Sequence, residues 1–246
     1  MATNSRPRST AERAAAALHE QQAAERRRQL TMIGGVVAVL VVIGLLAWFA
    51  ISRGDTTGKA LDPGSTPAHT SGYAVVVGQA DAPTTMQFYE DPQCPICREF
   101  EAAVGDKVSA AIADGKVKVE YHIVSFLDRS SKNQYSSRAA NALYAVADTA
   151  GPDVFKRFHD LLYQNQPQEG TAGPDDDQLI QWAVQAGADE AKVRKPIENN
   201  TYAQFVTNAT DAMSKAGVTG TPGVFVNGSK AASPSDGVNA VLQAVQ

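Results

Sequence analysis

Two cysteines in the run Cys94-Pro95-Ile96-Cys97 are the residues whose types and spacing most directly imply chemistry in this 246-residue chain. They are its only cysteines, and they lie between a strand-like run and a helix-like run. A thiolate at a helix N-terminus is stabilised by the helix dipole and by free backbone N–H groups. Because the thiolate is the species that attacks disulfides, this arrangement predicts a redox-active dithiol.

The same spacing also occurs in half of a structural zinc site, which needs two further Cys or His ligands. The chain has no third cysteine, and His19, His69, His122 and His159 are scattered singly. Ligand counting therefore favours redox chemistry over metal binding, and neither a metal nor a bound cofactor is expected. Copper binding by the two thiolates stays an alternative, because soft ligands suit Cu(I), although no Met-rich or His-rich cluster supports it.

An uncharged apolar run of 22 residues, 30–51, lies near the N-terminus. Its length matches a single transmembrane helix and exceeds the apolar region of a cleaved signal peptide. The preceding tail, 1–29, has six arginines against three glutamates, and Arg26-Arg27-Arg28 adjoins the apolar run. Since positive flanks stay cytoplasmic, we expect a single-pass cell-membrane protein with a cytoplasmic tail and an extracytoplasmic domain.

The segment 52–72 is rich in Gly, Thr, Ser and Pro and has the composition of a linker. We expect one folded domain over 73–246, a length sufficient for a single hydrophobic core. The net charge of the whole chain is −4. Since the tail is positive, the domain is acidic and offers no basic patch for nucleic acid.

Strand and helix patterns alternate in this domain and predict an α/β fold. Period-2 runs predict strands near 73–77, 84–89, 117–124 and 224–226, and Asn227-Gly228 is typical of a hairpin turn. Helical spacing follows the cysteine pair as far as Gly115, fills most of the stretch between 125 and 217, and returns at 235–245. The predicted sheet is thus interrupted by a long helical block.

Two segments resemble the DsbA-like proteins of the thioredoxin fold. The run from Gly78 to Cys97 is similar to the opening of that family, and Gly220-Thr221-Pro222-Gly223 with the strand after it resembles the family's cis-proline loop. The resemblance implies a thioredoxin-like fold over about 73–246, with a helical insertion at about 126–216. Together with the apolar run, it suggests a membrane-tethered, extracytoplasmic member.

The family implies a role for each matching position. Cys94 would be the exposed nucleophile that forms a mixed disulfide, and Cys97 the more buried cysteine that resolves it. Pro222 would be cis and pack against the pair, and Thr221 would offer its backbone to an extended substrate. Pro95 and Ile96 would modulate the reactivity of the pair.

The sequence departs from the family at two positions. Ile96 stands where strongly oxidising members have a histidine that lowers the pKa of the nucleophile. Phe88 stands where relatives have a buried acid, six residues before the first cysteine. Glu90 and Asp91 are expected at the end of the strand, so the proton acceptor for Cys97 is unassigned.

The resulting hypothesis is a thiol–disulfide oxidoreductase that introduces disulfides into exported cysteine-containing proteins and is reoxidised by a membrane quinone-linked partner. A disulfide reductase or isomerase would use the same chemistry, and a thioredoxin-fold binding module is the alternative from another class. Isomerases are commonly dimeric through a separate segment, and the short unpatterned linker argues against that reading.

Overall fold

A six-stranded mixed sheet organises the part of the chain that the computed structural model describes, Leu61 and residues 65–246. Its strands are β1 (Thr70–Ser71), β2 (Ala74–Val77), β3 (Thr84–Glu90), β4 (Val117–Ile123), β5 (Gly223–Val226) and β6 (Ser229–Lys230). Their order across the sheet is β1-β2-β4-β3-β5-β6, in which β3 and β4 are parallel and the other neighbours antiparallel. The parallel pair lies at the centre and is joined by a helical crossover.

Seven α-helices accompany the sheet in the described residues. They are α1 (Pro95–Ala113), α2 (Tyr135–Ala150), α3 (Pro152–Gln164), α4 (Asp176–Gln185), α5 (Glu190–Glu198), α6 (Ala203–Lys215) and α7 (Pro234–Ala244), with a 3-10 turn at Asp128–Ser130. Helix α1 is the crossover between β3 and β4, and α2 to α6 form one block between β4 and β5. The predicted helical insertion at about 126–216 therefore corresponds to this block.

Strand alternation puts successive side chains of β3 on opposite faces of the sheet. Phe88 points to the face covered by α1, where its ring meets Phe100 edge-on with centroids 5.1 Å apart. Tyr89 points to the other face, where it stacks on His122 at 4.1 Å and joins a small cluster with Met213 of α6. One face of each central strand is fully buried and the other only in part, which accounts for the alternation of apolar and polar residues along β4.

Helix α1 buries one stripe of side chains at helical spacing. The buried residues include Cys97, Phe100, Val104 and Val108, and all four recur at three- or four-residue intervals. Cys94 is the N-cap of α1 and Pro95 its first residue, a position where the missing N–H of proline costs no hydrogen bond. The apolar stripe therefore fixes which side of the helix, and which cysteine, faces the sheet.

The structure differs from the sequence expectations in three places. Strand β1 lies within the predicted linker, because a two-residue strand is held by pairing with β2 and leaves no periodic pattern. Helix α5 was not expected, because Pro196 lies in its last turn and a proline in a sequence usually indicates the end of a helix. Glu90 is the last residue of β3, so the strand continues one residue beyond its predicted end at Tyr89.

The predicted tail 1–29, the predicted transmembrane run 30–51 and most of the predicted linker lie outside the described residues. Within the part that is described, no helix combines the length and the apolar character that crossing a membrane requires.

Candidate active site

The two cysteines lie where β3 leads into α1, and both are free thiols. The Cys94 backbone N–H donates to the Asp91 carbonyl oxygen at 2.9 Å, which closes the turn before the helix. Cys94 is 5 % exposed and Cys97 0 % exposed. The order of accessibility agrees with the predicted roles, but the expected open exposure of Cys94 is wrong, because Tyr163 and Leu127 pack against the pair.

The surroundings move the pKa values of the two thiols in opposite directions. Hydrogen bonding from the Cys97 side chain, aided by the Thr221 side chain and by the backbone N–H groups of Cys97 and Ile96, outweighs burial and lowers the pKa of Cys94 to about 7. Burial, the hydrogen bond with Cys94 and the charge of Glu90 raise the pKa of Cys97 well above its usual value. Near pH 7 the pair therefore consists of a half-ionised outer thiol and a protonated inner one.

The second expected segment reaches this site from the far end of the fold. The Thr221–Pro222 peptide bond is cis, the geometry that the resemblance implied. The Cys94 thiol donates to the Thr221 carbonyl oxygen at 3.4 Å, so the two segments meet across 127 positions of sequence. A Cβ on Gly223 would lie 2.5 Å from a Val218 methyl carbon, so glycine permits the close packing of this loop.

The remaining predicted residues occupy distinct positions around the pair. Pro222 is buried and Thr221 is half-buried. Pro95 is half-buried in the first turn of α1, while Ile96 projects outward with 43 % of its surface exposed. The structure thus brings all six predicted site residues into one neighbourhood.

Two side chains that sequence reasoning did not assign hold the loop before Cys94. The buried Asp91 carboxylate accepts from the Gln93 N–H at 2.8 Å, the Leu127 N–H at 2.7 Å and the Ser136 hydroxyl at 2.6 Å. Its burial raises the pKa of Asp91 to about 6. The Gln166 amide donates to the carbonyl oxygens of Pro92 and Cys94, at 3.0 and 2.9 Å.

A buried carboxylate does lie next to the dithiol, although not at Phe88. Glu90 is two residues later in β3 and therefore on the same face of the strand as Phe88. It is fully buried, and its charge acts on Cys97. Strand alternation could have located it in the sequence, had β3 been extended by one residue.

Glu90 belongs to a buried network of charged side chains behind the dithiol. One Glu90 carboxylate oxygen lies 3.0 Å from Nε2 of His159. Glu101 of α1 and Lys156 of α3 lie 3.9 Å apart, and Lys156 also pairs with Asp160. Burial would lower the pKa of His159, but its hydrogen bonds to Asp160 and Glu90 and the charge of Glu101 outweigh burial and raise it to about 9.

Glu90, Glu101 and His159 are the one group in the described residues with the donor set of a metal site, and their ligand atoms lie within 4.8 Å of one another. His159 is already paired with Glu90, and Lys156 places a positive charge next to Glu101. These contacts make the group an internally paired ionic network.

Comparison with known proteins gives one family and several relatives. A family model described as Thioredoxin matches residues 70–244. A Bacillus cereus protein described as "Probable disulfide bond formation protein D" is 26% identical over 197 residues, which is 79% of this chain and 86% of that protein.

Two mycobacterial proteins are also similar. Reduced DsbA from Mycobacterium tuberculosis has a crystal structure that matches with a TM-score of 0.59 and 30% identity, covering 71% of this chain and 100% of that one. The serine/threonine-protein kinase PknE of M. tuberculosis is 32% identical over 158 residues, 61% of this chain. The chain spans only 28% of the length of that kinase.

Proposed function

Since the chain belongs to the thioredoxin family and is a DsbA-like protein disulfide oxidoreductase, we propose that it introduces disulfide bonds into exported proteins through Cys94 and Cys97. Its fold is the thioredoxin-like α/β fold with a helical insertion. The observation that carries the proposal is the opposite shift of the two thiol pKa values, with Cys94 lying against Thr221.

The reaction begins on the disulfide form of the pair. A client thiolate attacks Cys94 Sγ, the Cys94–Cys97 bond breaks, and its electron pair leaves on Cys97 Sγ. A second client thiolate then attacks the client sulfur of the mixed disulfide, which releases Cys94 as a thiolate. The low pKa of Cys94 favours this second step, because a thiol of lower pKa leaves faster.

Next to Cys94 the chain offers a client both a backbone contact and apolar side-chain contacts. The half-buried Thr221 precedes β5 and lies at the site, which supports pairing of its backbone with an extended client segment. Ile96 and Phe126 are exposed large apolar side chains close in sequence to Cys97 and Leu127 of the site. Clients are therefore unfolded or extended chains with apolar residues near their cysteines.

A reductase or isomerase is the second candidate function, because a Cys94 pKa near 7 makes the disulfide only weakly oxidising. Ionisation at that pKa stabilises the reduced form at pH 7 by only about 0.4 kcal/mol relative to a thiol of pKa near 9, or roughly 10 mV. Ile96 provides no charge that would lower the pKa further.

The deciding experiment uses the full-length chain and a peptide with two cysteines. Mixing the disulfide form with the reduced peptide should yield peptide disulfide and the reduced chain in equal amounts, and Cys94→Ala should yield neither. Equilibration with glutathione then gives the reduction potential. A dithiol chain that instead reduces the peptide disulfide, with no reaction in the first mixture, would contradict the proposal.

We also propose that residues 30–51 anchor the chain in the membrane with its domain outside, where a quinone-linked membrane protein reoxidises the dithiol. The charge asymmetry around that run supports this topology. Protease added to cells without their wall should digest the domain and spare the tail 1–29. Protection of the domain would refute the topology.

A further inference from the structure

His159 connects a buried carboxylate near the dithiol with a carboxylate that reaches solvent. Its Nε2 lies 3.0 Å from a Glu90 carboxylate oxygen, and its Nδ1 lies 3.4 Å from Oδ1 of Asp160. The side chains of Glu90 and His159 are 0 % exposed, whereas that of Asp160 is 35 % exposed. The two ring nitrogens thus face an inner and an outer acid.

A cleft of about 450 Å³ between α1 and α3 opens this end of the network to water. Its lining includes Arg98, Glu101, Ala102, Gly105, Asp160 and Tyr163. The opposite end of the network lies behind Cys97, which is fully buried. Thr221, Ile96 and Phe126, which the proposed client contacts, are not among the residues that line this cleft.

The reaction requires a proton at Cys97 on every turn of the cycle. When Cys97 leaves as a thiolate, burial and the charge of Glu90 disfavour its ionised form. Bulk water does not contact the sulfur, since Cys97 is fully buried. The proton must therefore come through side chains.

We propose that His159 relays protons between Glu90, whose charge acts on Cys97, and Asp160 in the lining of the cleft between α1 and α3. The inference rests on the proposed function, since it supplies the proton for the step in which the disulfide opens. The role of His159 is assigned by its two contacts and by the position of the cleft.

Protons are conserved both in client oxidation and in reoxidation of the dithiol. During client oxidation His159 gives its Nε2 proton to Glu90, which passes it to the Cys97 thiolate, and His159 recovers a proton from water through Asp160. The products of this half-reaction are the mixed disulfide on Cys94 and the neutral Cys97 thiol. During reoxidation by a disulfide-bearing partner, the Cys97 thiol loses its proton along the same path to the cleft.

The groups around His159 suit a relay. They are Glu90 from β3, Glu101 from α1, Tyr121 from β4, and Lys156, Asp160 and Tyr163 from α3. One oxygen each of Glu90, Glu101 and Tyr121 is buried without a hydrogen-bond partner. The two carboxylate oxygens can accept a transferred proton, and all three atoms can bind a transient water. The raised pKa of His159 keeps it protonated near neutral pH and ready to donate.

The test compares three variants of the full-length chain in single-turnover oxidation of the two-cysteine peptide. His159→Gln keeps an N–H for Glu90 but cannot exchange a proton, and Ala102→Trp places a bulky side chain in the cleft. Ala103→Trp is the matched control, because Ala103 is exposed on the same helix and is not among the residues that line the cleft.

We expect His159→Gln to slow the opening of the disulfide about a hundredfold near pH 7, the lower end of the range for general acid–base catalysis. Ala102→Trp should slow it severalfold, with its glutathione equilibrium unchanged, and Ala103→Trp should match the wild type. Imidazole should restore part of the rate to a fourth variant, His159→Ala. A purely structural role of His159 would give neither the cleft effect nor the rescue.

If the wild type oxidises the peptide and His159→Gln and Ala102→Trp do so with the same rates and pH profiles, the relay is overturned and the proposed function stands. A wild-type chain that leaves the peptide reduced would instead overturn the proposed function, and the relay with it.

Discussion

Replacement of Cys97 by alanine should raise the pKa of Cys94, because the Cys97 side chain makes the largest contribution to its low value. Alanine removes the hydrogen bond that stabilises the Cys94 thiolate and leaves a single cysteine in the chain. Cys97→Ser is the matched control, since its hydroxyl keeps a donor at the same position. The two variants differ in one hydrogen-bond donor at a fully buried site.

The size of the effect follows from the energy of a hydrogen bond to a charged group. Such a bond contributes about 1.5–3 kcal/mol, which corresponds to roughly one to two pKa units. The pKa of Cys94, about 7 in the wild type, should therefore rise to about 8–9 in Cys97→Ala. Near pH 6 the thiolate population falls by about 10- to 100-fold, and the higher nucleophilicity of the more basic thiolate recovers about 3- to 10-fold.

The assay is the rate of Cys94 alkylation by iodoacetamide as a function of pH, followed by mass spectrometry. Cys97→Ala should react about 3- to 10-fold more slowly than Cys97→Ser near pH 6 and faster than it above about pH 9.5, where both thiols are ionised. A general loss of structure would change the rate in one direction at all pH values. Coincident pH profiles of the two variants would refute the role given to the Cys97 side chain.

Three further substitutions test other parts of the site. Burial raises the pKa of Asp91 to about 6, so its ionisation costs more in the folded than in the unfolded chain and its contribution to stability is lost as pH rises through 6. Relative to Asp91→Asn, the wild type should lose about 2 kcal/mol of unfolding free energy between about pH 4.5 and 7.5, measured by urea denaturation, and a pH-independent difference would contradict this. Ile96→His should lower the pKa of Cys94 below 7, seen in thiolate absorbance, and make the disulfide more oxidising by about 20 mV per pKa unit near pH 7; an unchanged glutathione equilibrium would count against it. Gln166→Ala leaves the Cys94 carbonyl without this donor and should cost about 1–3 kcal/mol in denaturant, and a loss below about 0.5 kcal/mol would show that water replaces the amide.

The proposed mechanism gives the site a reactive outer thiol and a proton path separate from the client. Cys94 and Thr221 lie at the face where a client can pair, while Glu90, His159 and Asp160 lead to the cleft between α1 and α3. In the proposed mechanism, client exchange and proton exchange therefore use different surfaces. A client can remain bound during both proton and disulfide transfer.

Local sequence determined the chemistry and most of the elements. Cys94 and Cys97 at a strand-to-helix junction predict a dithiol, since the helix N-terminus and the spacing are both local features. Periodicity located the long strands and most helices because burial of one face repeats every 2 or 3.6 residues. It failed for β1, a two-residue strand held by its pairing with β2, and for α5, a short helix that packs against α2 and α4.

Only the tertiary structure decided the electrostatics of the site. The contact between Cys94 and Thr221 joins residues 127 positions apart, and that between Glu90 and His159 joins residues 69 positions apart. A family resemblance implied the first, but no spacing in the sequence implied the second. The pKa of a buried group depends on which charges and donors the fold places within a few ångströms, and at long sequence separation that placement is fixed by the packing of α1 and α3 on the sheet.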